Sequence, residues 1–420
     1  MSAPRPFAGL RVVDLGTFWA GPFLGCYLAS LGADVVKVEG TRRVDGFRFV
    51  AAFPEQGERW YEQSGLFQAT NLGKRDVAVD LEDPEGRALV AELLDGADVV
   101  IENFSPRVVE HFGFDHRSLA ATNPGVILLR MPGFGLEGPW RDFVGFGNSF
   151  EYAGGIGAVT GHPDGPPLGP GGYADPLVAV HGAVALTAAL EERERTGRGA
   201  QVEIVQIEVV AAMTPEPPIT WSLTGEVPGR LGNRDPEVAP QGVYPAADGW
   251  VALTVRDDED WRRLVGALGE PAWSPPGALD RTAERRARHD DLDRWLAAWT
   301  TERGAADAVR CLAAAGLPAA TVLEPAGMYD DPQLVATRYY QELDHPVSGP
   351  RRYPTWPFRW GPERTRVGHR RRAPLLGEHV DEVLVGELGR SPEEVARLRA
   401  EGVVGDHVPA TNDEGALHRA

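Results

Sequence analysis

The sequence predicts an α/β protein whose larger part contains a parallel β-sheet and whose later part forms a second, smaller unit. Two observations support this. Short apolar strands alternate with helices in the N-terminal third, which is the pattern of βαβ units. The chain has 420 residues, and a single domain usually has about 100 to 200. We therefore expect two domains, the first of them doubly wound.

Apolar runs and their flanking residues place the elements of the first part in order. Strands are predicted at Leu10–Leu15, Ala33–Glu39, Asp76–Leu81, 97–104 and Gly125–Met131. One helix follows Gly21-Pro22 and stops at Gly32, and a second has Pro84 in its first turn. Beyond Gly145 a loop rich in Pro and Gly leads to a long helix from about Pro176 to Arg195, and Gly197 ends it.

Residues 225–325 predict the second unit. A hairpin with Asp248-Gly249 at its turn is followed by three helices and a further strand. The segment from Asp331 to about Leu388 is expected to be extended, and a short helix begins after the N-cap Ser391. We expect the last residues, about 18 of them, to be frayed because they are polar and terminal.

The charge balance excludes one class of function. Lys and Arg number 42 against 61 Asp and Glu, for a net charge of −19. Sequence-independent binding to nucleic acid depends on a cationic surface, so nucleic acid is not an expected partner. One stretch runs against this trend, since residues 351–372 hold eight Arg and one Glu. We expect that stretch to pack across an acidic body or to form a dimer contact.

The cysteines and apolar runs suggest the compartment. Cys26 and Cys311 are the only cysteines, too few for a disulfide framework, and no Cys/His cluster of metal-binding type surrounds either one. No run approaches the roughly 18 apolar residues of a membrane span, and the N-terminus lacks the apolar core of a signal peptide. We therefore expect a cytoplasmic protein that binds neither a membrane nor a metal.

Ligands of a doubly wound sheet bind outside the carboxyl ends of its strands. The residues that follow the predicted strands include small residues, amides and cations, which suit a phosphorylated, partly aromatic ligand. They comprise Gly16–Pro22, Arg42, Arg43, Asn103, Phe104, Arg107 and Gly133–Gly135. Neither the dinucleotide fingerprint GxGxxG after the first strand nor a P-loop is present.

Asp175 admits two interpretations. It precedes Pro176 at the mouth of the long helix, and Asp-Pro is a common N-cap arrangement that needs no chemistry. Alternatively, a carboxylate held ionised by the helix dipole and approached by glycine-rich loops could act as a nucleophile.

Seven segments, taken in order, resemble the family III CoA-transferases, also called the CaiB/BaiF family. The resemblance extends from about Leu10 to Val403. It is carried by GLRVVDLGTFWAGPF, LGADVVKVE, the NLGKR loop at Asn71–Arg75, IENFSP, GFGLEGPW, RTGRGAQVE and APLLGEH. Each segment alone is weak, whereas their order and spacing together are specific.

The resemblance implies an architecture. The large domain would be Rossmann-like and built from both chain ends, residues 1–224 and 326–420, around a smaller inserted α+β domain at 225–325. It also implies an interlocked homodimer, in which two chains are threaded like links.

The resemblance further implies a reaction. Asp175 would attack the thioester of an acyl-CoA donor, forming an acyl-aspartyl anhydride and then an aspartyl-CoA thioester, from which CoA moves to a carboxylic acid acceptor. CoA would be a substrate, with no tightly bound cofactor. Candidate donors to the oxyanion are Gly133, Phe134, Gly135, Gly154 and Gly155. The expected CoA-binding residues are Phe18, Trp19, Ala20, Arg42, Arg43, Leu72, Lys74, Arg75, Asn103, Phe104 and Arg107.

Two alternatives remain. Acyl-CoA racemases of the same fold pair the matching Asp with a His in a Gly-His-Asp segment, where this chain has Gly145-Phe146-Gly147. Phe146 cannot move a proton, so the sequence favours a transferase over a racemase or epimerase. In the second alternative the protein binds acyl-CoA without catalysis, and Asp175 only caps its helix.

Overall fold

The computed structural model describes residues 5–275 and 277–408. Their contacts divide the chain into two units. The larger comprises Met1–Ile156, Gly169–Pro215 and Val335–Ala420, and the smaller comprises Gly157–Leu168 and Glu216–Leu334. The main segment of the smaller unit is therefore longer at both ends than the predicted 225–325, and the unit also takes in Gly157–Leu168, which the sequence placed in the large domain.

The strands are short. They are β1 (Arg11–Asp14), β2 (Asp34–Glu39), β3 (Arg75–Val79), β4 (Val99–Glu102), β5 (Ile127–Arg130), β6 (Ala200–Glu203), β7 (Gln241–Ala246), β8 (Gly249–Thr254), β9 (Ala319–Thr321), β10 (Tyr340–His345), β11 (Gly349–Pro354), β12 (Arg359–Trp360), β13 (Thr365–Arg366) and β14 (Val404–Gly405).

Helices alternate with these strands. They are α1 (Ala20–Ser30), α2 (Gly65–Asn71), α3 (Pro84–Asp95), α4 (Pro106–Phe112), α5 (His116–Thr122), α6 (Gly147–Ala153), α7 (Ile156–Val159), α8 (Ala174–Thr196), α9 (Gln206–Met213), α10 (Glu216–Thr224), α11 (Asp258–Ala267), α12 (Thr282–Ala287), α13 (His289–Thr301), α14 (Ala305–Ala314), α15 (Pro332–Ala336), α16 (Val380–Leu384) and α17 (Pro392–Ala400).

The larger unit is built on a sheet of seven strands in the order β14-β3-β2-β1-β4-β5-β6. Its strands pair in parallel, except that β14 runs antiparallel to β3. The predicted parallel α/β sheet is thus confirmed. The chain moves outward from β1 in one direction through β2 and β3, and in the other through β4 to β6. The point between β1 and β4 is therefore a topological switch point, where ligands of such sheets bind.

Each face of the sheet is covered by a separate apolar core. Successive residues of a strand point to opposite faces, and Val12 and Val13 of β1 accordingly lie in different clusters. One cluster packs α3, α16 and α17 against the sheet, and the other packs α1 and α8. These buried faces explain why β1 to β5 appear in the sequence as nearly continuous apolar runs.

Two predictions for the C-terminal part were incomplete. The segment Asp331–Leu388 is not simply extended, since it contains the hairpin of β10 and β11 and the helices α15 and α16. Residues 404–405, expected in the frayed tail, pair with β3, and both Val403 and Val404 are buried. The remainder of that expected tail, 409–420, lies outside the described residues.

The smaller unit has its own core. The antiparallel strands β7, β8 and β9 pack with α11, α13 and α14 around the buried Trp261. The predicted hairpin is present, but its two turn residues are Ala247 and Asp248, and Gly249 begins β8.

Among the described residues, α8 is the one helix that is long and apolar enough to cross a membrane by length and composition alone. Core helices of soluble proteins meet the same criterion, so a single such helix is weak evidence. Val178, Ala179 and Leu186 of α8 are buried in the core beneath the sheet.

Candidate active site

Two loops meet at the switch point between β1 and β4. The backbone N–H of Thr17, after β1, donates to Asn103 Oδ1 at 2.8 Å, and Asn103 Nδ2 donates back to the Thr17 carbonyl at 2.8 Å. Of the predicted CoA residues, the structure therefore brings Phe18, Trp19 and Ala20 together with Asn103 and Phe104 at one edge of the sheet.

Buried charges hold the turn after β1 in place. Asp45 Oδ1 accepts from the N–H groups of Phe18 and Phe47, each at 2.9 Å, and Asp45 Oδ2 lies 2.9 Å from Lys37 Nζ. Lys37 also donates to the Gly16 carbonyl at 2.7 Å. Phe18 has φ +60°, a left-handed conformation uncommon for an aromatic residue. The turn is thus a fixed feature whose strained residue is held by a buried ion pair.

Lys74 lies beneath this turn. Its ammonium is fully buried and donates to Asp14 Oδ2, the Pro22 carbonyl and Asn71 Oδ1, each at 2.7 Å. Burial lowers the pKa of Lys74, although the Asp14 carboxylate opposes this. All three N–H donors of the ammonium are occupied, so the observed contacts of Lys74 support the N-terminus of α1.

The structure does not bring Arg75 or Leu72 to the switch point. Arg75 is the first residue of β3, so it lies at the edge of the sheet opposite to the carboxyl ends of the parallel strands. It pairs there with Asp34, Glu382 and Glu387. Leu72 is buried in a cluster with Cys26 and Tyr353.

Exposed cations follow the carboxyl ends of β2 and β4. Arg42 and Arg43 are exposed after β2, and Arg42 Nε lies 2.8 Å from Asp80. Arg107 is exposed in the first turn of α4, 3.4 Å from Asp142, and Phe104 is half-buried just before that helix. These three guanidiniums are exposed and can meet a ligand phosphate, whereas the Lys74 ammonium and the Arg75 guanidinium are buried in their ion pairs.

Asp175 does not cap its helix. The helix α8 begins at Ala174 and its N-cap is Tyr173, which makes no capping side-chain bond, so Asp175 lies inside the first turn. The capping interpretation is therefore wrong. The carboxylate is half-buried, and the nearby backbone N–H groups of Ala20 and of Asp175 itself favour its ionised form. Because Ala20 begins α1, Asp175 lies directly beside the turn after β1.

The pKa of Asp175 is raised to about 7 by burial and by the nearby Glu151 carboxylate, against the effect of the two backbone N–H groups. The helix dipole alone was expected to keep this group ionised. In the structure, loss of hydration and a like charge outweigh it. A carboxyl that titrates near neutrality beside a ligand crevice is typical of a functional group.

Glu151 was not anticipated from the sequence. It is buried on α6, and its carboxylate accepts from the N–H groups of Gly171 at 3.1 Å and Gly172 at 2.9 Å. Both glycines have positive φ, +100° and +96°. Glu151 therefore shapes the loop that leads into α8 and sets the charge next to Asp175.

Two glycines leave room around the carboxylate. A Cβ at Gly147 would lie 2.3 Å from Asp175 Oδ2, and a Cβ at Gly172 would lie 3.3 Å from the Trp19 ring. The ring of Phe18 contacts Phe146 edge-on with centroids 5.2 Å apart, and Trp19 contacts Phe47 at 5.8 Å. Asp175 is thus framed by aromatic rings and by backbone without side chains.

The glycines proposed as oxyanion donors have packing roles. Gly133 faces the ring of Phe150, Gly154 faces Val210, and a Cβ at either would come within 2.5 Å of that neighbour. Gly135 and Gly155 have positive φ, +96° and +95°, and the ring of Phe134 packs on Phe150 at 5.3 Å. The backbone N–H of another element that lies near the Asp175 carboxylate, and favours its ionised form, is that of Ala20 at the start of α1.

Sequence signals for the unanticipated residues were weak. A single Glu between Phe150 and Tyr152 has no pattern of its own, and Asp45 lies in a segment without periodicity. Within residues 5–275 and 277–408, no group of three or more His, Cys, Asp or Glu is arranged to hold a metal ion.

The fold and this site are those of an enzyme that transfers coenzyme A. Residues 7–380 match the family described as CoA-transferase family III, and the chain belongs to that family. It is 36% identical over 404 residues to a succinyl-CoA–D-citramalate CoA-transferase of Chloroflexus aurantiacus, covering 96% of this chain and 98% of that one.

Two further comparisons agree with the assignment. A succinate–glutarate CoA-transferase of Agrobacterium fabrum is 33% identical, with 90% of this chain and 95% of the relative covered. A crystal structure of a CaiB/BaiF family protein from Brucella suis has a TM-score of 0.80 at 30% identity, covering 95% of this chain and 100% of that one. The resemblance inferred from the motifs is confirmed.

Proposed function

We propose that the protein moves CoA from an acyl-CoA donor to a carboxylic acid through covalent intermediates on Asp175. The observation that supports this most directly is the Asp175 carboxylate itself. It is half-buried beside the turn after β1, lies near Ala20 N–H and is clear of any side chain at Gly147. A partly desolvated carboxylate at the switch point combines nucleophilicity with access to a ligand.

The reaction balances without ATP. An oxygen of ionised Asp175 attacks the thioester carbonyl carbon, the C–S bond breaks, and CoA thiolate leaves behind a mixed anhydride. The thiolate then attacks the aspartyl carbonyl carbon, which releases the donor acid and leaves an aspartyl-CoA thioester. The acceptor carboxylate attacks that thioester and expels the thiolate, and the thiolate attacks the acyl carbon of the new anhydride. The products are the new acyl-CoA and free Asp175.

The surroundings of Asp175 suit these steps. The anhydride would hydrolyse in bulk water, and the rings of Phe18, Trp19 and Phe146 can limit water at the carboxylate. Each tetrahedral intermediate carries an oxyanion that needs a fixed donor. Two of these oxyanions form on the Asp175 carboxyl itself, and Ala20 N–H, which lies near that carboxyl, is our candidate donor for them.

The CoA phosphates require cations in a chain with a net charge of −19. We assign this task to Arg42, Arg43 and Arg107, which are exposed after the strand ends. Lys74 would act on CoA only through the turn that it supports. CoA enters as a substrate, and the proposal needs no tightly bound cofactor and no metal.

We further propose that the enzyme acts in the cytoplasm as an interlocked homodimer. Large apolar side chains are exposed in both units, among them Val184 on α8 at 70% and Leu223 on α10 at 80%. Each unit therefore has apolar surface that a second copy can cover.

The relatives named above act on succinate, citramalate and glutarate, and short dicarboxylic acids are thus the first donors and acceptors to test.

The test is the intact mass of the protein after incubation with a panel of acyl-CoAs, trapped with hydroxylamine or borohydride. We expect an adduct at Asp175 in the wild type and none in Asp175→Asn. Because Asp175 is not an N-cap, the variant should fold normally. Binding of acyl-CoA without any adduct or transfer would contradict the proposal and favour a binding protein. Exchange of the acyl α-proton with deuterium would instead favour a racemase.

A further inference from the structure

The larger unit contains a cavity that the proposed reaction at Asp175 does not use. It has a volume of about 480 Å³ and lies at the C-terminal end of α1, where Ser30 forms part of its wall. Four arginines line it, namely Arg5, Arg338, Arg366 and Arg370. No Asp or Glu is among the described residues that line it. This local excess of positive charge contrasts with the net charge of the whole chain, which is −19.

Two of the four guanidiniums are anchored. Arg366 donates to the Thr337 carbonyl at 2.8 Å and to the Trp356 carbonyl at 3.2 Å. Arg370 reaches the Gly32 carbonyl at 3.4 Å. Carbonyl partners fix the positions of these groups but leave their charges uncompensated, since no carboxylate takes part.

The other two guanidiniums are unoccupied. Within residues 5–275 and 277–408, the side chains of Arg5 and Arg338 make no hydrogen bond or ion pair. The left-handed conformation of Arg338, φ +52°, is the usual ending of a helix and follows from its position just after α15. Guanidiniums that line a cavity without a partner among these residues can bind a ligand there.

We propose that this cavity binds a small polyanion, a phosphate or carboxylate compound with at least two negative charges. One planar guanidinium group can bind two oxygens of a phosphate or of a carboxylate at the same time. Ser30 and Tyr340 line the same cavity, and the Ser30 hydroxyl already donates to the Cys26 carbonyl at 3.0 Å. The site is distinct from the catalytic one, because α1 begins at Ala20, beside Asp175, and ends at Ser30, roughly 15 Å further along its axis.

The experiment is isothermal titration calorimetry of the full chain at low salt, with pyrophosphate in one arm and citrate in the other. We expect saturable binding by the wild type and a Kd raised roughly tenfold or more in the double variant Arg5→Gln/Arg338→Gln, since each guanidinium supplies a charge-assisted contact. The matched control is Arg351→Gln, an exposed arginine of the same segment that does not line the cavity; its Kd should be unchanged. The arm that binds more tightly identifies the anion as a phosphate or a carboxylate.

Three outcomes would overturn the proposal. The first is that the wild type binds neither probe. The second is that the double variant binds as tightly as the wild type and that CoA competes with the probe, which would place the anion at the CoA phosphate site. The third is that the double variant has a different oligomeric mass, which would make the cavity a contact between copies. None of these readouts depends on catalysis, so the proposal stands or falls separately from the role of Asp175.

Discussion

At the scale of single residues, the raised pKa of Asp175 predicts a pH dependence of catalysis. The nucleophile must be ionised, so kcat/KM for the first acyl-CoA should rise with pH through an apparent pKa near 7. Glu151→Gln removes the like charge and keeps one oxygen acceptor for the glycine loop. That variant should shift the rising limb to lower pH. If the rising limb of kcat/KM stays at the same pH in this variant, then Glu151 does not raise the pKa of Asp175.

The same group affects stability with a definite sign. The pKa of Asp175 is about 7 in the folded state and about 3.9 in an unfolded chain. Its favourable contribution is therefore complete below about pH 4 and is lost as the pH rises toward 7. Asp175→Asn should abolish this part of the pH dependence of the unfolding free energy. Urea titrations of both proteins at pH 5 and pH 8 measure it.

Gly147 offers a steric test of the site. Gly147→Ala would place a methyl group 2.3 Å from Asp175 Oδ2, which forces the carboxylate or the α6 terminus to move. We expect a loss of kcat of about 100-fold, as a misplacement of 1 Å near the reacting atoms can cause. Gly65→Ala is the control, because a Cβ there meets nothing within 4 Å. Equal activity of the two variants would show that the carboxylate has room to spare.

What the sequence could predict at this scale depended on motifs. Asp175 and the turn from Phe18 to Ala20 were found because they belong to recognisable segments in a fixed order. Glu151 and Gly147 were not, since each acts through a contact that only folding creates. The raised pKa of Asp175 was also beyond the sequence, because it results from burial and from Glu151.

At the scale of elements, Lys74 is predicted to be structural. Lys74→Met would leave Asp14 buried without its partner, and loss of one member of a buried pair costs about 3–5 kcal/mol. The free energy of unfolding in urea measures this cost. The control is Arg43→Met, an exposed residue of the same edge. Unchanged stability together with a raised KM for acyl-CoA would instead support the direct CoA contact that the sequence suggested.

Most elements of the first part could be predicted, because apolar runs and capping residues are local signals. Helix α3 shows this well, with Asp83 accepting from Glu85 N–H at 2.7 Å and Pro84 in its first turn. The strand β14 could not be predicted. Its two residues acquire their conformation only by pairing with β3, which is distant in the sequence.

At the scale of the whole molecule, the proposed interlocked dimer predicts unusual persistence. Two threaded chains cannot part without unfolding, whereas an ordinary dimer dissociates on dilution. We expect a native mass of twice 45.4 kDa and no exchange of subunits between tagged and untagged protein over hours. Exchange should follow only after both are unfolded and refolded together. Mixed dimers formed under native conditions would contradict the threading.

The domain boundaries illustrate the limit of sequence analysis at this scale. The insert was placed at 225–325 from its predicted hairpin, helices and strand and from the family resemblance, and the structure adds Gly157–Leu168 to the same unit. This segment belongs to a unit whose other residues lie later in the chain, and no local sequence pattern indicates such an association.

The pairing of β14 with β3 has a consequence for synthesis. Val404 lies opposite Val79, so this edge of the sheet stays open until the ribosome has made the residues between them. At about 5–20 residues per second, that interval lasts roughly 15 to 65 s. During it, the unpaired edge of β3 is accessible to any other nascent chain. Synthesis of Val404 and Gly405 therefore completes the sheet, and its timing sets how long a second chain has to enter before the edge of β3 is paired.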